Sequence, residues 1–352
     1  MVLSASSPSA LATTGSSYTY VYKQAISAAI GIFLMLIISK IDYRRYEKYY
    51  KIAYAFSLGI LLLVLVPGFG RTINGARRWI NLPIVGSAQP SEITKLGLIV
   101  FFSAYLSKHR EKLKNIWYGF LKPIFYFIVP VILVLLLVQS HFSASVIIIL
   151  VISVMMLTAG SRFGHFVLFG SVGAAGGLSL MYVLAKFFGK GSFRLARIYS
   201  FLDPWQDPQG SGWQIIQSLY AIGSGGLFGV GLGNSTQKYL YISEPQNDFI
   251  FAVLAEELGF IGCMTVIILF LLFVWRGVVI SMKAPDMFGS LMAIGITSLI
   301  GLQAIINIAV VTSSMPVTGI ALPFFSYGGT SLIILLCAVG ILLNISRHAE
   351  KI

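Results

Sequence analysis

The chain has 352 residues, 57% of them hydrophobic and only 11% charged, with a mean hydropathy of +0.86. That balance excludes a soluble domain, in which about a quarter of residues are charged, and points to an integral membrane protein. The formal charge of +13 suits a nucleic-acid binder only if it is gathered on one face. Here it is dispersed over loops, so anionic lipid is the expected counterpart and no nucleic acid is expected as a partner.

The N-terminal stretch MVLSASSPSALATTGSSY is too short and too polar for a secretory signal and lacks its basic start. It reads as the outer end of a first span whose earlier part is missing. Complete spans are expected at roughly 22–41, 52–68, 90–107, 123–138, 143–160, 164–188, 249–275, 288–311 and 329–346, since about 20 apolar residues cross a bilayer as helix. These runs are continuous rather than alternating, so they are helices and not barrel strands. The expected fold is all-α: one polytopic membrane domain over 1–352, a helix bundle of about nine complete spans plus a truncated first, with a large extracytoplasmic loop at 189–248.

Orientation follows from the short basic loops. Arg44, Arg45, Lys48 and Lys51, then Lys108, Arg110, Lys112 and Lys114, mark the cytoplasmic side, and Arg276, Lys283, Arg347 and Lys351 fall on it when spans are counted through. Cys263 and Cys337 both lie in predicted spans, where they are read as packing residues rather than a disulfide pair.

Three polar segments carry the remaining chemistry. In GFGRTINGARRWINLPIVGSAQPSEITK, 68–95, Pro90 suits a first helical turn with Gln89 or Ser91 as cap. Glu92 and Lys95 share one face of that helix. They are either a self-neutralising pair or, because charges facing lipid are costly, the lining of a wet cavity that holds substrate. Arg77 and Arg78 are interfacial anchors with Trp79 or a bidentate phosphate grip. In the segment 189–248, the glycines from Gly223 to Gly233 lack the lysine and the preceding strand of a nucleotide cradle and read as a tight turn packed close to the membrane. In TSSMPVTGIALPFFSYGGTS, 312–331, prolines and glycines forbid a regular helix although the stretch is apolar, so it is buried in protein or lines a cavity. Gln303 and Asn307 before it are expected to hydrogen-bond a neighbouring helix.

Among the 12 acidic residues, Glu92, Asp203, Asp207, Glu244, Asp248, Glu256 and Glu257 fall outside the cytoplasmic loops. On an unbroken helix Glu256 lies about 12 Å below Asp248 and about 80° around it, with Glu257 about 180° around. No tight carboxylate cluster can form, and Glu256 and Glu257 read as structural clamps. Asp248, at the water-accessible mouth of its span, can cap the helix, act as a general base toward a sugar hydroxyl, or do both.

The segments NGARRWI with QPSEITK, DPWQDPQGSGWQIIQSLYAIGSGGLFGVGLGNSTQK, SEPQNDFIFAVLAEELGFIG and MPVTGIALPFFSYGGTS resemble, in this order and over nearly the whole chain, the SEDS family of FtsW, RodA and SpoVE. GLGNSTQK and EPQNDFIFA look closest to the FtsW and SpoVE branch. The resemblance implies a multi-pass protein of the bacterial cytoplasmic membrane, a peptidoglycan glycosyltransferase that polymerises lipid II on the outer face for cell division or sporulation. It implies a class B penicillin-binding protein and other divisome or elongasome membrane proteins as partners. It makes Asp248 the essential carboxylate and sets Glu92 and Lys95 beside the catalytic cavity. Where the family has a QPD motif, this chain reads QSHFSAS, with Ser140 and His141 in place of Pro and Asp.

The expected reaction takes a proton from the acceptor's 4-hydroxyl to Asp248, with Lys95, Arg77 or Lys238 stabilising the charge that develops on the undecaprenyl diphosphate. A divalent cation, Mg or Mn, could share that work, although no His or Cys cluster marks a site for it. The alternatives are a lipid II flippase, using the same embedded charges as a path, and a nonenzymatic divisome scaffold.

Overall fold

The computed structural model describes residues 1–349 except 67, 74–75, 83–85, 172–199, 211, 240 and 243. Its principal helices, in chain order, are α1 (Val2–Thr14), α2 (Thr19–Ile38), α3 (Arg44–Lys48), α4 (Tyr50–Leu63), α5 (Pro90–Lys108), α6 (Trp117–Val138), α7 (Phe142–Thr158), α8 (Trp213–Gly225), α9 (Ile250–Met282), α10 (Met287–Val311) and α11 (Gly329–His348). Among the described residues, α2, α6, α9, α10 and α11 are long and apolar enough to cross a membrane, and α4 and α7 are shorter apolar helices. Each overlaps an expected span. The span expected at 164–188 falls largely outside the described residues.

The fold is mostly helical, but the segment before α5 holds a small sheet that apolar-run counting had no means to reveal. Strands β1 (Gly70–Ile73), β2 (Ala76–Leu82) and β3 (Gly86–Ala88) pair antiparallel in that order. Arg71 pairs with Trp79 and Thr72 with Arg77, with an irregularity between Arg71 and Thr72. ARRWINL is short, with an aromatic and a β-branched residue at its centre, which suits a strand outside the hydrocarbon.

The chain divides into two compact units. One comprises Met1–Val21, Phe163–Leu269 and Gln303–Tyr327; the other comprises Tyr22–Arg162, Phe270–Leu302 and Gly328–Ile352.

In the second of these, α4 and α5 approach closely through small residues. A Cβ on Gly97 would come within 2.2 Å of Ser57 Oγ, and Thr94 Oγ1 donates to Ser57 O at 3.2 Å. Small side chains are what lets membrane helices pack without a hydrophobic driving force. α6 contains Pro123 and Pro130 and winds over much of its length in wide turns, an outcome expected where proline removes a backbone donor. Near the C-terminal end of α11, the Asn344 amide accepts from Tyr43 N–H and donates to Ser39 O, both at 2.9 Å.

In the first unit, α1 runs antiparallel to the start of α9, with Ser4 bonded to Glu257 and Ser9 to Gln246. α9 breaks at Gly259, where φ is 64° and ψ is −164°. A break there removes the helical bonds from Phe260 to Glu256 and from Ile261 to Glu257. The glycine-rich loop replaces them: Val230 and Gly231 N–H donate to Glu256 O and Glu257 O at 2.9 and 3.1 Å, and Phe260 and Ile261 N–H donate to Gly226 O and Leu227 O at 2.9 and 3.2 Å. The expected tight turn at 223–233 is thus the splint of a broken helix. α8, inside what reads as an outer loop, buries Ile215, Ile216 and Ala221, and Ser218 Oγ donates to Val311 O at 2.7 Å.

Candidate active site

Asp248 is half-buried and stands two residues ahead of α9, so the cap position falls on Phe249. The clamp on its main chain comes from α10. Asn307 Nδ2 donates to Asp248 O and to Ile320 O, both at 2.7 Å, which uses both hydrogens of the amide and fixes its orientation. Asn307 is buried, and its Oδ1 meets no partner among the described residues. The expected helix-to-helix bond of Asn307 is therefore a bond to two loop carbonyls.

The irregular segment after α10 flanks the carboxylate. Gly319, with φ of 72°, lies where an added Cβ would be 3.5 Å from Asp248 Oδ2. Tyr327 N–H donates to Gln246 O at 2.8 Å, and Leu322 N–H to Ser326 Oγ at 2.8 Å. The main chain is therefore held at residue 246 and at residue 248 by elements that follow it by some 60 to 80 positions.

Glu256 and Glu257 act as clamps, though toward a loop and α1 rather than toward spanning helices. Glu256 accepts from Thr236 N–H and Thr236 Oγ1 at 2.8 Å, from Gln237 N–H at 3.4 Å and from Ser235 Oγ. Lys238, a candidate diphosphate stabiliser from the sequence, is 2% exposed and bonded to Glu257 Oε1 at 3.1 Å, Ser4 Oγ at 3.1 Å and Gly233 O. An ammonium has three donors, and all three are engaged. Releasing it toward a substrate would leave a buried Glu257 carboxylate uncompensated, at a cost of about 3–5 kcal/mol. Lys238 is a structural cation in this geometry.

In the other unit, Pro90 opens α5 with Gln89 at the cap position, and Glu92 and Lys95 form a pair at 2.7 Å. Lys95 is buried, and Glu92 keeps its second oxygen 3.5 Å from Ser331 Oγ. A small cavity of about 10 Å³ lies beside Lys95, lined otherwise by Leu98, Ile99, Ile148, Val151, Ile152 and Leu299. That is room for about one water. Arg77 donates to Val66 O at 3.2 Å, which anchors the sheet and leaves the guanidinium other donors.

His141, which a reading by charge passes over, packs into the same unit. Its Nδ1 accepts from Ala144 N–H at 3.1 Å as the cap of α7, and its Nε2 stands 2.7 Å from the Gln89 side-chain amide. Burial first, then the positive charges of Arg78 and Lys95, push its pKa down to about 3. A neutral ring thus occupies a place beside two cations. The signal in the sequence was its position, directly before an apolar run where a helix cap is needed.

Asp248 and Lys238 belong to one compact unit, and Glu92, Lys95 and Arg77 to the other. Among the described residues, no three of His, Cys, Asp and Glu gather as a cation cage.

The family model for cell cycle proteins of the FtsW, RodA and SpoVE type matches residues 1–351. Stage V sporulation protein E of Bacillus subtilis (strain 168) is 43% identical over 350 residues, covering 99% of this chain and 93% of that protein. A probable peptidoglycan glycosyltransferase FtsW of Geobacter sp. (strain M18) is 42% identical over 348 residues, covering 99% and 92%. Among solved structures, a chain of a peptidoglycan synthase complex, studied for the coordination of polymerization and crosslinking, aligns with a TM-score of 0.78 at 29% identity, covering 99% of this chain and 96% of that one. The rod shape determining protein RodA of Thermus thermophilus aligns with a TM-score of 0.67 at 27% identity, covering 99% and 94%.

Proposed function

Because the chain belongs to the FtsW, RodA and SpoVE family of cell cycle proteins and is a peptidoglycan glycosyltransferase of the bacterial membrane, we propose that it polymerises lipid II with Asp248 as general base. The observation that carries this reading is the carboxylate at residue 248, half-buried, with its main chain clamped by Asn307 and its Oδ2 flanked by Gly319. A base held on a fixed main chain meets the positional demand of proton transfer.

In the proposed step, the 4-hydroxyl oxygen of the acceptor's terminal N-acetylglucosamine attacks the anomeric carbon of the donor's N-acetylmuramic acid. The hydroxyl proton passes to an Asp248 oxygen as the new carbon–oxygen bond forms. The anomeric carbon–phosphate oxygen bond breaks on the opposite face, and undecaprenyl diphosphate leaves with the bonding pair. A single displacement of this kind inverts an α-linked donor to a β-1,4 product.

Lys95 and Arg77 are the candidates to stabilise the developing charge on the diphosphate, each having a cationic group that retains donors beyond its present bond. Lys238 is left out, since its three donors are engaged. Glu92 holds the Lys95 ammonium in a defined position until substrate competes for it. The described residues do not fit a dedicated metal cage, so no step is routed through a cation. A class B penicillin-binding protein is the proposed partner, supported by the similarity to a chain of a synthase complex.

The test is glycan synthesis from purified lipid II by the full chain with its partner. Asp248→Asn keeps the shape and removes the base, and a loss of at least a hundredfold is expected. Wild-type rates from Asp248→Asn protein of unchanged thermal stability would falsify the assignment. Transport of lipid II without polymer formation would favour a flippase instead.

A further inference from the structure

From Pro208 to Gln237 the chain has no Asp, Glu, Lys or Arg. α8 opens at Trp213, whose indole N–H donates to Tyr241 O at 2.7 Å. It ends at Gly225, where an added Cβ would lie 2.0 Å from Ala255 O. The helix thus descends alongside the start of α9, to a level about 8 Å past its first residue at 1.5 Å per residue. The chain then turns through 226–233.

Two properties of that turn belong together. The first is that much of its backbone pairs within the protein. Gly229, Val230 and Gly231 N–H donate to Gly225 O, Glu256 O and Glu257 O; Gly226 O and Leu227 O accept from Phe260 and Ile261. Val230 O accepts from Asn234 Nδ2, Gly231 O from Asn234 N–H and Gly233 O from Lys238 Nζ. A loop in water leaves such groups to solvent, whereas one among lipid chains must pair them internally. The second is that its side chains point outward and are apolar: Leu227 is 63% exposed, Phe228 79% and Leu232 68%. Clustered exposure of this kind marks a contact surface.

The depth is set by α9. Between Glu257 and Arg276 the helix carries no charged residue, and past the break at Gly259 the run Phe260–Trp275 measures about 24 Å, most of the hydrocarbon thickness of about 30 Å. The loop is bonded to Glu256, Glu257, Phe260 and Ile261, at the outer end of that run. Phe260 and Ile261 are themselves exposed, so the apolar side of the loop continues the lipid-facing side of the helix.

We propose that residues 213–239 form a re-entrant element whose loop 226–233 is seated in the outer-leaflet hydrocarbon, with the lipid chains as its partner. On this proposal, part of the segment 189–248 that the sequence reads as lying outside enters the bilayer. Its consequence is positional: the loop anchors the segment that leads to Asp248 at a fixed depth.

Site-directed spin labelling of the full chain in phosphatidylethanolamine and phosphatidylglycerol vesicles tests this. Phe228→Cys, Leu232→Cys and, as an outer control, Trp205→Cys are each labelled with a nitroxide in a Cys263→Ala, Cys337→Ala background. Positions 228 and 232 are expected to collide with oxygen several-fold more than with a water-soluble nickel chelate, and position 205 the reverse. Nickel accessibility at 228 and 232 equal to that at 205 overturns the proposal, as does exclusion of both reagents, which would mean that protein covers the loop. Should Phe228→Cys fail to fold, Leu232→Cys carries the same comparison. Neither outcome depends on the role of Asp248.

Discussion

At the scale of single residues, the site rests on groups whose own chemistry is not catalytic. Asn307 has both amide hydrogens on main-chain carbonyls, those of Asp248 and Ile320. Asn307→Leu keeps the volume and strips both carbonyls of their donor, at about 1–3 kcal/mol each. Polymerisation per folded molecule is expected to fall at least tenfold. A variant that melts earlier yet polymerises at the wild-type rate per folded molecule would show that Asn307 supports the fold alone. His141 makes a different prediction. Its folded pKa, about 3, lies below the ordinary value of about 6.5, so between those values the unfolded chain binds the extra proton. Stability is full above about pH 6.5 and falls as the pH drops toward 3. His141→Asn retains an N-cap acceptor for Ala144 N–H without a titrating ring. Its melting temperature is expected to change less between pH 7 and pH 4 than that of the wild type.

At the scale of elements, the broken helix and its splint form one unit. Gly259 holds a positive φ, and a Cβ there would lie 2.3 Å from Gly229 N. Gly259→Ala must therefore either expel the loop or restore helical bonds at its expense. A loss of about 1–3 kcal/mol is expected from strain and unpaired backbone together, read as a lower melting temperature in detergent. The Lys238–Glu257 pair ties the same loop to α1 and α9. Lys238→Met should cost about 3–5 kcal/mol, because it strands a buried carboxylate, and Lys238→Met with Glu257→Gln should recover much of that loss. Equal melting temperatures for the single and double variants would mean that the charge at Glu257 is not what the lysine compensates.

At the scale of the whole molecule, the described residues offer no cage for a cation. Melting of the full chain with and without a chelator tests for a resident metal, since a bound metal would stabilise the folded state in proportion to its binding. A drop on chelation, reversed by magnesium or manganese, would reveal a site. Membrane character, helical class and the course of the described spans were legible in the sequence, because each depends on the length and composition of one continuous run. Asp248, Glu92 and Lys95 could be picked out as candidates as well, since ionisable groups beside apolar runs are few. The sheet at 70–88, the descent of α8, the break at Gly259, the engagement of Lys238 and the carbonyl clamp of Asn307 were decided only by tertiary structure. All of these depend on which backbone and side-chain groups meet across long separations, as Val230 meets Glu256 and Asn307 meets Asp248. A local pattern can state that a polar group needs a partner inside a membrane. Which atom supplies it is settled by packing.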